Sequence, residues 1–85
     1  MKHFQYTVKT VIGLHARPAA ALITTARSYQ SKITIEKEHK IADPKSLMSV
    51  LALNVNQNDH IVVTAEGPDE EAAIAGMEVF MRENL

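Results

Sequence analysis

A chain of 85 residues has room for one domain, burying roughly 60 to 65% of the surface its unfolded form exposes. Its 46% hydrophobic and 22% charged residues exclude a disordered chain, and a formal net charge of −1 offers no polycationic face to nucleic acid. The absence of cysteine excludes disulfide frameworks and thiolate metal sites; no apolar run resembles a signal peptide or reaches the ~20 residues of a membrane helix, so a cytoplasmic address is expected.

Phe4, Tyr6 and Val8 alternate with polar neighbours and predict a first strand over residues 2–8 with one face on a core. A helix is expected directly after His15, because Pro18 suits a first helical turn and Ala19, Leu22, Ile23 and Ala26 then recur on one face. Ile33 and Ile35 alternate with Thr34 and Glu36, and Ile41 resumes after a polar break. This reads as two short strands joined by a hairpin around Glu38-His39, a pair that is not the Asn-Gly type of a secure two-residue turn. Ser46 is placed to cap a short helix over Leu47–Leu53, and Pro44 favours an extended Asp43 before it. Ile61, Val63 and Ala65 predict a fourth strand. Gly67-Pro68-Asp69-Glu70-Glu71 then starts a last helix, whose Ala73, Met77, Phe80 and Met81 share a stripe. The order strand, helix, strand, strand, helix, strand, helix is an α+β layout, with helices on one face of a mostly antiparallel sheet.

The chemistry concentrates in Gly13-Leu14-His15-Ala16-Arg17-Pro18-Ala19-Ala20. A histidine just ahead of a helix meets backbone N–H groups without intrahelical partners and the positive end of the dipole. That environment disfavours imidazolium, leaves a ring lone pair for attack on phosphorus, and offers donors to phosphoryl oxygens. A helix terminus is worth about 0.3 to 1 kcal/mol to an exposed anion, a hold that steadies a phosphoryl group without trapping it. Gly13 allows a sharp turn that presents His15, and the Arg17 fork suits phosphoryl oxygens or acidic groups of a partner. The same residues also suit a merely solvated histidine in a capping loop. His3, His39 and His60 lack ligand partners at metal-binding spacing, so no metal site is expected.

The run Gly13 to Ala19 resembles the phosphorylation-site signature of the HPr family, the histidine-containing phosphocarriers of the bacterial phosphoenolpyruvate-dependent sugar phosphotransferase system. The likeness extends over the whole chain, through Lys45-Ser46-Leu47-Met48 and Ala65-Glu66-Gly67. It implies a single HPr-like domain over residues 1–85, an open-faced β-sandwich with a four-stranded antiparallel sheet and three helices on one face, in the order βαββαβα. It also implies that His15 takes a phosphoryl group from enzyme I with help from Arg17, and passes it to the A domains of sugar permeases. On this resemblance the protein is a carrier rather than a stand-alone enzyme and holds no cofactor of its own; a monomer is the default expectation.

Partners must approach His15 closely, so Leu14, Leu47, Met48 and Leu51 are the expected apolar docking rim. Leu47 and Leu51 are equally compatible with core packing, and Met48 is the member expected at the surface. Ser46 caps a helix; by resemblance it is also the target of a serine kinase/phosphorylase, its phosphorylated form partnering a catabolite-control transcription factor. The alternative is a paralogue acting mainly as such a phospho-Ser46-dependent corepressor, against which the retained His15 argues. The chain departs from the family pattern at Ile12, where a small polar residue is usual, at Asp43 and Pro44, and at Ser49 and Asn54, where glycine is frequent.

Overall fold

The computed structural model describes residues 1–85, the side chain of Ala16 excepted. The chain runs β1 (Lys2–Thr7), α1 (Ala16–Arg27), β2 (Lys32–Lys37), β3 (Lys40–Ala42), α2 (Leu47–Leu53), β4 (His60–Glu66) and α3 (Glu70–Asn84), which is the expected order. The four strands form one antiparallel sheet in the order β1-β4-β2-β3.

Register explains why one face of this sheet is apolar. Phe4 of β1 and Ile35 of β2 both stand opposite Val63 of β4, while Gln5 and Glu36 flank Val62 on the other face. Tyr6 meets Ile61, and Ile33 meets Ala65, so each apolar residue has an apolar neighbour across the strands. Onto this face fold Ala19, Leu22 and Ala26 of α1, Val50 and Leu53 of α2, and Ala73, Met77, Phe80 and Met81 of α3. A fully buried Leu, Val, Ile or Met contributes roughly 1.5–3 kcal/mol, and the 3.6-residue spacing read from the sequence brings these side chains together. Phe4 and Tyr6 are half-buried against the same core.

The β2–β3 hairpin turns at Glu38-His39, with Lys37 opposite Lys40. Glu38 has φ 57°, a left-handed conformation for which glutamate is poorly suited. Ser46 caps α2 by accepting from the Ser49 N–H at 3.4 Å, a long bond, and the hydroxyl of Ser49 accepts from the Asp43 N–H at 2.8 Å. Asn54 ends α2 with φ 55°, which accounts for asparagine where the family often has glycine. None of the helices is long and apolar enough to cross a membrane.

Candidate functional site: a histidine at the head of a helix

The site is built by pinning one loop to another. Gly13 has φ 65°, and a Cβ there would stand 2.3 Å from the carbonyl oxygen of Val55. Only glycine fits this approach, and the next N–H, that of Leu14, donates to the same oxygen at 3.0 Å. Leu14 is thereby turned into the core and is fully buried. This corrects its placement in the docking rim: a loop residue beside the nucleophile reads as surface, but the Gly13 turn directs its side chain inward.

His15 follows in extended conformation (φ −129°, ψ 159°) as the N-cap of α1, half-buried, with no side-chain bond to the helix. The imidazole is therefore not consumed in capping. Its Nε2 lies 3.0 Å from Oδ1 of Asn56. The amide orientation is fixed independently, because Nδ2 of Asn56 donates to the Asn54 carbonyl at 2.9 Å, so the atom facing the ring is an acceptor. Nε2 must then carry a hydrogen, and in the neutral ring the lone pair belongs to Nδ1. The first turn of α1 supplies the backbone N–H groups of Ala16 and Arg17, Pro18 having none.

Arg17 is exposed on that turn, and it takes part in none of the ion pairs among the described residues. The other apolar candidates lie on α2. Met48 is 77% exposed, Leu47 45% and Leu51 39%, and the helix ends at Asn54, two residues before the partner of His15. Val11 and Ile12, in the loop leading to Gly13, are also exposed. A concavity bounded by Lys32, Ile33, Ile41, Asp43, Lys45 and Ser49 lies elsewhere on the molecule. His15 is half-buried and does not line that concavity.

Sequence reasoning names His15 and Arg17, which the structure sets at the head of α1, but misses Asn56, which lies 41 residues from the histidine. The stretch Asn54 to Asp59 between α2 and β4, polar apart from Val55, signals a turn, and nothing in its spacing points to His15. Beneath it, Asp59 accepts the Asn56 N–H at 2.8 Å and pairs with Lys37 Nζ at 3.0 Å. These two contacts, the Asn56 N–H first, hold the Asp59 carboxyl below the usual aspartate range. His3, His39 and His60 are exposed, His60 Nδ1 lying 2.8 Å from the Thr7 hydroxyl.

The arrangement is an open-faced α+β sandwich with a half-buried imidazole heading its first helix, one ring nitrogen facing Asn56. The family model described as "PTS HPr component phosphorylation site" matches residues 2–83, and the chain belongs to the HPr family of phosphotransferase-system phosphocarriers. It is 33% identical to the phosphocarrier protein HPr of Mycoplasma genitalium over 99% of this chain and 97% of that one. It is 39% identical to the multiphosphoryl transfer protein of Vibrio cholerae, matching with 94% of its length but only 21% of that larger protein. The crystal structure of HPr-C-His from Thermoanaerobacter tengcongensis superposes with a TM-score of 0.94 at 38% identity, covering 98% of this chain and 93% of that one. The protein is a phosphocarrier of the sugar phosphotransferase system.

Proposed function

We propose that Nδ1 of His15 is the phosphoryl acceptor, that enzyme I is the donor, and that the A domains of sugar permeases are the recipients. The observation that carries the assignment is the Nε2 to Asn56 contact at 3.0 Å, which leaves Nδ1 as the nucleophilic ring atom. The Nδ1 lone pair forms the N–P bond as the donor's bond to phosphorus breaks and its electron pair returns to the donor. The ring keeps its Nε2 hydrogen and becomes positively charged, a charge that the Asn56 carbonyl oxygen faces. Onward transfer reverses these movements. Arg17 and the free N–H groups of the first helical turn meet the phosphoryl oxygens, a modest hold suited to a carrier. On this reading the carrier works in the cytoplasm as a monomer, one HPr-like domain over residues 1–85, docking through Leu47, Met48 and Leu51.

Ser46 is a second phosphorylation site on the same reading, for a serine kinase/phosphorylase whose product engages a catabolite-control transcription factor. Its long cap bond of 3.4 Å means little is lost when the hydroxyl is modified. Asp43 lies directly beside it, its carbonyl accepting the Ser46 N–H at 3.0 Å, and an added dianion there meets a neighbouring carboxylate. A carrier acting mainly through phospho-Ser46 would have no use for the imidazole arrangement at His15.

The test is incubation with enzyme I, magnesium and phosphoenolpyruvate. An acid-labile, base-stable phosphate on the wild type, absent from His15→Ala, is expected. No adduct on the wild type, or undiminished labelling of the variant, would overturn the assignment.

A further inference from the structure

Asn56 is exposed, and an exposed amide left to itself samples several rotamers. Here its backbone and side chain are tied down from below. Lys37, at the end of β2, extends Nζ to the Asn54 carbonyl at 2.6 Å and to Asp59 Oδ2 at 3.0 Å. One cation thus joins the start of the Asn54 to Asp59 loop to its end. The Asn54 carbonyl also receives Nδ2 of Asn56, and Asp59 Oδ2 receives the Asn56 N–H. The four residues close a ring of contacts whose free member is the amide oxygen aimed at His15. Lys37 and Asp59 are partly enclosed, their side chains 14% and 28% exposed, so this pair is somewhat less open to screening than a fully exposed ion pair.

We infer that Lys37 and Asp59 are positioning residues for phosphoryl transfer, holding Asn56 so that its oxygen retains the hydrogen on His15 Nε2 and leaves Nδ1 free. The inference rests on His15 being the acceptor. Neither residue touches the ring. Their action passes through one amide, so it concerns the tautomer and orientation of the imidazole rather than the charge around the phosphoryl group.

The experiment uses the full chain, labelled with 15N at histidine, as wild type and as Asn56→Ala, Asp59→Ala, Asp59→Asn and Lys37→Met. Ring 15N shifts give the hydrogen's location without any phosphoryl donor, and the initial rate of phosphate uptake from enzyme I is measured in parallel. In the wild type the neutral ring is expected to hold its hydrogen on Nε2. Asn56→Ala, Asp59→Ala and Lys37→Met shift the ring toward the mixed population of free imidazole and slow uptake on the order of tenfold. Asp59→Asn keeps an acceptor for the Asn56 N–H, so it guards against loss of folding and shows a smaller shift. Adding Asp59→Ala to Asn56→Ala changes nothing further, because both act through the same amide. Wild-type ring shifts and wild-type rates in Asp59→Ala and Lys37→Met would overturn the inference, as would additive losses in the double variant. A wild type that takes no phosphate overturns the acceptor assignment itself, which the ring shifts distinguish from a failure of positioning.

Discussion

Ser31 and Asp69 hold each other in both directions. Ser31 donates its backbone N–H at 2.8 Å and its hydroxyl to Asp69 Oδ1, and its Oγ receives the Asp69 N–H at 3.2 Å. Oδ2 of the same carboxylate accepts the Gln30 N–H at 2.8 Å. Asp69 is the N-cap of α3, so this cluster fastens the α1–β2 connection to the start of the last helix. From the other side Lys45 Nζ donates to the Tyr29 and Ser31 carbonyls at 2.8 and 3.0 Å. The buried hydroxyl of Ser31 is satisfied by Asp69 alone, donating to its carboxylate and accepting its N–H.

The Ser31 hydroxyl, followed by the Gln30 N–H, keeps the Asp69 carboxyl below its ordinary range. A carboxyl whose folded value is depressed stabilises the protein above its unfolded value, near pH 4, and loses that contribution as pH falls through the folded value. Glu70, held low by the N-terminal ammonium and the Gly67 N–H, acts in the same direction. We expect urea midpoints to fall below about pH 4 and Asp69→Asn to flatten that acid limb while lowering the midpoint at neutral pH. An Asp69→Asn profile parallel to the wild type would show that the cluster carries no linkage. Ser31→Ala removes only the hydroxyl from a carboxylate that keeps its backbone donors, so its effect on the limb is smaller.

The elements were legible because their signals are local. Ala19, Leu22, Ile23 and Ala26 lie on α1 where the helical period puts them, and Ile33, Ile35, Ile61, Val63 and Ala65 alternate into the core as their spacing requires. The site was half legible. His15 and Arg17 stand out because they fall in a short contiguous run that resembles a family signature, whereas Asn56, Lys37 and Asp59 come from an α2–β4 loop and a strand end. Their relation is a product of sheet order, which sets β2 beside β4 and so brings Lys37 under the loop before β4. The burial of Leu14 is hidden from the sequence for a related reason. Its burial follows from the contact between Gly13 and Val55, which no periodicity encodes.

The difference between Leu14 and Met48 is measurable. Leu14 is fully buried and Met48 is 77% exposed, so truncation should destabilise one and spare the other. Leu14→Ala is expected to cost about 2–5 kcal/mol by leaving a cavity, and Met48→Ala within about 0.5 kcal/mol of nothing, both from chemical denaturation. If Met48 docks partners, Met48→Ala raises the KM for enzyme I with little change in kcat. Equal destabilisation by the two substitutions would contradict the placement of Leu14 in the core.

Gly13→Ala separates two reasons for a glycine at the loop before the nucleophile. Placing a side chain at φ 65° costs about 1–2 kcal/mol by itself. The added Cβ also meets the Val55 carbonyl oxygen at 2.3 Å, and backbone cannot step aside as a flexible side chain can. Because that oxygen accepts the Leu14 N–H, displacing it moves the strand of chain that carries Asn56 relative to His15. We expect the Tm of Gly13→Ala to fall by about 10 °C or more, at 4–8 °C per kcal/mol for a domain of this size, with phosphate uptake reduced as well. Gly13→Asn decides between the causes. Asparagine tolerates the left-handed conformation but carries the same Cβ, so it should recover little if the approach to Val55 dominates. Recovery of wild-type stability in Gly13→Asn would instead make φ the whole of the requirement.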